Sequence, residues 1–301
     1  MPRSPRDKLR LLGAALAASA LAAQPGRSHV LHAFAGSTPV IDGVIAPGEW
    51  VDAFQWVGIA DWDNQFAPVI AGAPIDLDVT IFVKRDNQSL YFAFEVIDDT
   101  LYRVQTEPFL PGGNPSANNL TQQGWPWFGD EIEILMDATN ARLNASVAGV
   151  NGSAWQMVLN AAKSRLGGLG VGGLLEGEPR SSDAAWANYG AWIRSGAMRA
   201  ATRSAPGGAP YGGSAWVAEW AIDFDPCIEI APNTFYAPDG VTQTVVGLNI
   251  ALGDVDEPAT SDPTYGLRHE MWLSGSTCAW TNCHTLMNEF SQLVLEPGPR
   301  R

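Results

Sequence analysis

The sequence predicts an all-β protein, an antiparallel, jelly-roll-like β-sandwich with long loop insertions. Three observations predict it. Apolar and polar residues alternate with a period of two in several separate stretches, and the connections between those stretches are polar and too long for plain turns. The composition agrees: 12 Trp and 31 Gly with only 17% charged residues describe a rigid, turn-rich chain, neither a disordered tail nor a helical bundle. With 46% hydrophobic residues over 301 positions, the chain can bury a full core.

The N-terminus is expected to leave before folding. Arg3, Arg6, Lys8 and Arg10 precede the uncharged stretch Leu11 to Ala23, which closes on the small residues of Ala20-Leu21-Ala22. Residues 1–23 therefore read as a secretory signal peptide. The run falls short of the roughly 20 residues a membrane span needs, and no later segment is apolar enough to cross. A secreted or periplasmic location follows.

From Ile75 to Val83, the residues Ile75, Leu77, Val79, Ile81 and Val83 share one face and Asp76, Asp78 and Thr80 the other. After the turn-like Arg85-Asp86-Asn87-Gln88, Ser89 to Ile97 reads as the hairpin partner. Glu131 to Asp137 repeats the pattern, with Ile132, Ile134 and Met136 expected inside and Glu131, Glu133 and Asp137 outside. Further strands are expected at Ala154 to Asn160, Ala215 to Phe224, Thr244 to Leu252, Leu267 to Leu273 and Phe290 to Leu295. Separate strands of this kind favour a sandwich over an α/β sheet. Two connections, 107–124 and 164–213, are long enough to be functional, the second with one short helix near Asp183 to Ser195.

Charge limits the partners. With 32 Asp+Glu against 18 Lys+Arg the chain carries −14, and removing the cationic leader, itself +3, leaves −17. Nucleic acid and anionic membrane surfaces both demand basic residues, so neither is an expected partner. Catalytic signatures are missing as well: the sequence holds no Gly-x-Ser-x-Gly elbow, no His-Glu-x-x-His, no phosphate-cradling loop and only four His. A glycoside hydrolase needs only two well-placed acids, so it stays as an alternative.

Three cysteines remain in a compartment that permits disulfides. Cys278 and Cys283 can close a small loop around Trp280, and Cys227 reads as a buried small hydrophobe. A second reading of the same segment stays open. Cys278 to His284 has the form Cys-x4-Cys-His, a variant of the c-type haem attachment pattern, with His284 and either Met157 or Met271 as axial ligands in a haem-binding electron-transfer domain.

The order of blocks carries a resemblance. Thr38-Pro39-Val40-Ile41-Asp42-Gly43 with Glu49-Trp50, then Leu90 to Asp98, then Trp125-Pro126-Trp127-Phe128-Gly129-Asp130-Glu131-Ile132-Glu133-Ile134 stand in the order of the family 9 carbohydrate-binding modules. Glu219 in its strand, Val246 to Ile250 with Asp254, Trp272 and the closing Phe290 to Leu295 are similar to later blocks. The chain thus resembles this family over residues 36–296. The resemblance implies a β-sandwich that binds a saccharide without cleaving it, in the service of polysaccharide catabolism, and a monomer is expected.

It also implies a site. Trp127 and Trp280 match the pair of Trp that grip a sugar, and Glu133 matches a carboxylate that hydrogen-bonds its hydroxyls. A pyranose offers apolar C–H faces to aromatic rings and hydroxyls to a polar rim, so this combination suits it. Two of the family's polar groups are replaced here, an Arg near Met157 and an Asn near Thr277. Gln156, Asn160 and Asn282, nearby in sequence, are the candidates to take over. Trp50 and Trp220 read as core.

Hard oxygen donors abound while His/Cys sets suited to zinc do not, so structural calcium, Ca2+, is the expected ion. Asp98 and Asp99 follow one strand, Asp254, Asp256 and Glu257 another, and Asp61 and Asp63 lie in an early loop. The resemblance favours Asp98 and Asp254 among them.

Overall fold

The computed structural model describes residues 29–64, 77–98, 130–141, 154–160, 175–179, 192, 195–204, 214–257, 267–274 and 290–300. Strands dominate. In chain order they are β1 (Val30–Ala35), β2 (Phe54–Val57), β3 (Asp63–Asn64), β4 (Asp78–Arg85), β5 (Ser89–Asp98), β6 (Glu131–Asp137), β7 (Ala154–Asn160) and β8 (Leu175–Pro179). Then come β9 (Met198–Ser204), β10 (Ser214–Asp223), the small ribbon β11 (Glu229–Ala231) with β12 (Thr234–Phe235), and β13 (Thr244–Glu257), β14 (Leu267–Trp272) and β15 (Ser291–Leu295).

Apart from the ribbon, they form one curled sheet in the order β8-β7-β6-β13-β15-β1-β4-β5-β10-β9, with β2 on β4, β14 on β13 and β3 on β14. The sheet changes layer at β1. Its first half, Val30 to Ala33, pairs in parallel with Gln292 to Leu295 of β15, and its last two residues pair in parallel with Lys84 and Arg85 of β4. The other ladders named here are antiparallel, so the expected antiparallel sandwich is closed by a single parallel strand shared between its layers.

The alternation read from the sequence explains the core. Val79, Ile81 and Val83 of β4, and Phe92 and Phe94 of β5, face Ile132, Ile134 and Met136 of β6 in one buried cluster. Trp216 and Trp220 of β10 join it, each 1% exposed. Burying side chains of this size contributes about 1.5–3 kcal/mol each. A smaller cluster of Trp50, Ala53, Tyr91, Ala93 and Ala221 lies on the other face of β4, β5 and β10. There the segment Gly36 to Ala53 crosses the sheet.

The expected boundaries hold for β6 and β7, and β5 and β10 differ from them by one residue at their ends. Three expectations fail. All seven residues of β6 are buried, so Glu131, Glu133 and Asp137 do not face solvent. β6 is an inner strand, flanked by β7 and β13, and both of its faces are shielded. β13 runs to Glu257, beyond the expected end at Leu252, because Gly253 and Asp254 continue the ladder to β14, so Asp254 and Asp256 lie in the strand and not after it. Finally, β8 and β9 form inside the stretch 164–213, where only a loop and a short helix were expected. Trp192 and Ser195, the described residues of that expected helix, are helical.

Candidate functional site

The polar face of β6 is the first candidate. Glu131, Glu133 and Asp137 alternate with the core residues Ile132, Ile134 and Met136, which puts the three carboxylates together on the opposite face. They are 0%, 6% and 0% exposed. Register sets small residues of β13 across from each: Gly253 opposite Glu131, Ala251 opposite Glu133, and Gly247 opposite Asp137. The glycines matter. A Cβ at Gly253 would stand 2.8 Å from Glu131 Cγ and 2.9 Å from its Oε1, and one at Gly247 would stand 3.1 Å from Asp137 Cβ. The row through Glu133 continues past Ala251 to Trp272, which is 2% exposed. Asn249, on the same face, is fixed as an acceptor: its Oδ1 takes the N–H of Ile250 at 3.0 Å and of Ser274 at 3.1 Å.

At one end of this layer three acids converge. Asp98 closes β5, Asp130 immediately precedes β6, and Asp254 lies in β13 beside the Glu131–Gly253 pair. All three are buried, and one carboxylate oxygen from each lies within 4.8 Å of the others. Carboxylates this close repel one another unless a cation or shared protons stand between them. The donor set is all oxygen, with no His or Cys, which suits calcium and not zinc.

A second buried acid sits on the other layer and does something different. Glu219 of β10 is fully buried; its Oε2 accepts the backbone N–H of Asp42 at 2.9 Å and of Gly43 at 2.8 Å, and its Oε1 accepts Trp50 Nε1 at 3.2 Å. Gly43 has φ +78, and a Cβ there would touch the Thr202 and Arg203 backbone at 3.0–3.1 Å. Beside it, Lys84 is fully buried with its Nζ 5.0 Å from the Trp50 ring centroid. It donates to Ser37 Oγ at 3.1 Å, Glu49 O at 2.6 Å and Asp52 Oδ1 at 3.0 Å. Burial pushes the Glu219 carboxyl up to about 7 against the pull of its three N–H partners. Each group here is answered by the chain itself. This is a latch for the segment 36–53.

With this geometry, known proteins can be compared. No family model matches the chain, and no curated protein matches it. Solved structures do. A family 9 carbohydrate-binding module from Caldicellulosiruptor kristjanssonii in complex with cellotriose is 15% identical, with a TM-score of 0.53 over 90% of this chain and 95% of that one. The fold is that of the family 9 modules. A structure in complex with glucose, from the same organism and family, gives 15% identity and a TM-score of 0.50 over 90% of this chain and 97% of that one. A candidate carbohydrate-binding protein from Bacteroides uniformis ATCC 8492 matches at 12% identity, with a TM-score of 0.50 over 90% of this chain and all of that one.

On the family 9 fold the expected residues fall as follows. Glu133 lies at the centre of the polar face of β6. Gln156 is in β7 in register with Leu135, and Asn160 with Glu131. Asp98 and Asp254 meet at the three-acid cluster, while Asp256 lies two residues further along β13. Asp130 completes that cluster. The sequence reading missed it as a ligand because it was read only as part of a strand entry; the signal was an acid at the junction of Gly129 and the strand. Residues 1–23, the expected signal peptide, and Asp99, Trp127, Cys278, Trp280, Asn282, Cys283 and His284 lie outside the described residues.

The remaining residues are structural. Met157 and Met271, the axial ligands of the haem reading, pack in the interlayer cluster at 1% and 3% exposure. Cys227 is a free, buried thiol whose Sγ lies 3.7 Å from Ala197 O, and burial pushes its pKa up. Trp220 is core and Trp50 belongs to the latch.

Proposed function

We propose that this protein is a secreted, non-catalytic carbohydrate-binding module, held by calcium and serving polysaccharide catabolism. The observation that carries the reading is the family 9 fold spanning 90% of the chain, shared with modules in complex with cellotriose and glucose. The saccharide lies between Trp127 and Trp280, with Glu133 accepting from its hydroxyls and Gln156 and Asn282 at the rim. Asp98, Asp130 and Asp254 hold the calcium, with Asp99 and Asp256 close by in sequence. The ion supplies only charge compensation and stiffness. The side chains of this chain bind and orient the sugar.

A glycan array run with and without a chelator tests the whole reading. The wild-type protein is expected to bind a set of neutral saccharides, and the double variant Trp127→Ala/Trp280→Ala to bind none, since each stacking Trp contributes about 1–3 kcal/mol. A wild-type protein that binds no glycan overturns the function. Binding that survives the double substitution overturns the site. Calcium is expected to raise the melting temperature by about 5–10 °C when present at a hundredfold excess over its dissociation constant. A melting temperature indifferent to chelator overturns the calcium assignment.

A further inference from the structure

The segment 36–53 crosses the outer face of β4, β5 and β10 without joining a ladder, since none of its residues is in a strand. Between Pro39 and Trp50, its hydrogen bonds to the sheet, among the described residues, converge on two buried side chains. Lys84 Nζ donates to Glu49 O, and Glu219 accepts the N–H groups of Asp42, Gly43 and the Trp50 indole. Beneath the segment lie Tyr91, Ala93 and Ala221, packed against its Trp50 and Ala53. A strap held in this way can lift as a unit while the ladders below it stay intact.

The surroundings of Glu219 suit a neutral acid. Its Oε2 takes two short bonds, 2.9 and 2.8 Å, as a carbonyl oxygen does, and its Oε1 takes the single longer one, 3.2 Å, as a hydroxyl oxygen does. Its in-register neighbours on either side are Ala93 and Ala201, both fully buried and uncharged. The strap brings Asp42, Glu49 and Asp52 to this face, β4 brings Lys84, and β5 brings Tyr91 and Glu95 on either side of Ala93. Asp223 follows on β10 itself, and Arg203 stands on β9 beside Gly43. Lys84 is already paired with Asp52 at 3.0 Å, and none of the ion pairs among the described residues includes Glu219. Burial, joined by the like charge of Glu49, therefore holds its carboxyl up at about 7 against the three N–H donors.

We propose that the segment 36–53 is a proton-controlled strap: it closes over β10 with Glu219 protonated, and it lifts with loss of that proton to water, uncovering Tyr91, Ala93 and Ala221. Lifting solvates the carboxyl, which then titrates near its ordinary 4.5 instead of about 7. Between those values the closed form holds one more proton than the open form. Opening therefore becomes about tenfold easier with each pH unit across that interval, and does not depend on pH outside it. Saccharide binding has no part in this device, which lies on the other layer.

Residue-resolved amide hydrogen exchange tests this. In the wild-type protein, the protection of the Asp42 and Gly43 amides, corrected for intrinsic exchange, is expected to fall about tenfold per unit between about pH 5 and about pH 6.5. It is expected to stay below the protection of the Phe92 and Trp220 amides, on the inner strands β5 and β10, throughout. In Glu219→Gln, which cannot titrate, the protection of the same two strap amides is expected to vary by less than about twofold over that range. Protection in the wild type that ignores pH overturns the proposal, and so does an equal pH dependence in the variant. Equal protection of strap and ladder amides overturns it as well, because the segment would then open only with the whole fold. Should Glu219→Gln fold poorly, the carboxyl carbon resonance of Glu219 in the wild type decides: its midpoint is expected near 7, and a midpoint at 4.5 or below overturns the proposal.

Discussion

The two layers of the sandwich each carry buried acids on their outer faces, and the two faces are finished differently. On the second layer, Glu219, Lys84 and Asp52 are met donor for acceptor by the segment 36–53 of the same chain. On the first, Glu131, Glu133 and Asp137 lie opposite two glycines and an alanine, and the Trp272 indole N–H meets no acceptor among the described residues. Burial of a carboxylate therefore does not by itself mark a site. The latch is closed by a distant segment of the chain, whereas on the first layer Asp137 Oδ1 is met locally, by Thr139 Oγ1 at 2.7 Å, and small residues of β13 make room for the row of acids.

The comparison breaks most sharply at the latch. Asp52→Ala should leave the buried Lys84 ammonium without its counter-charge, a loss of about 3 kcal/mol of stability. Denaturant unfolding measures it. Glucose affinity should not move, because the two faces lie on different layers; a variant that loses glucose binding while folded would show that they are coupled.

A smaller effect is expected on the acidic face of β6. Gly253→Ala puts a methyl group into the space of the Glu131 side chain and should cost about 1–2 kcal/mol, since that side chain can swing partly aside. Because Asp254 is the next residue, the calcium-dependent part of the melting temperature should shrink in the same variant. Full retention of both would mean that the close approach at Gly253 has no consequence.

The smallest effect is a matter of pH. The Glu219 carboxyl is raised from 4.5 to about 7 in the folded protein, so its contribution to stability is whole below about 4.5 and is lost as pH rises through about 7. Glu219→Gln cannot titrate. Its melting temperature should therefore change less between about pH 5 and about pH 7.5 than that of the wild type. Parallel curves would locate the pH dependence elsewhere.

The strands with clean alternation, β4, β5 and β6, were legible in the sequence, because half-buried strands write the difference between their faces into residue type. The same logic failed for β6 itself. Glu131, Glu133 and Asp137 read as solvated, and only the covered tertiary context made them interior. β8 and β9 escaped notice because their alternation is weak; β9, at seven residues, is as long as β6 and β7. The candidate site divides in the same way. Glu133, Asp98 and Asp254 stand out in the sequence, whereas Asp130, an acid at the entry of β6, is marked as a ligand only by its nearness to Asp98 and Asp254.

By itself the sequence determined the layer-facing residues, the all-β class, the acidic charge and the order of the family 9 blocks, since these depend on local pattern. Tertiary structure alone decided the rest. It set β1 in parallel between two layers, turned Glu219 into a latch, and brought Asp98 of β5, Asp254 of β13 and Asp130, which precedes β6, within 4.8 Å of one another. These are contacts between residues far apart in sequence, 177 positions between Asp42 and Glu219 and 262 (292 − 30) between Val30 and Gln292. Local alternation specifies which face a residue takes, but not which strand will lie beside it.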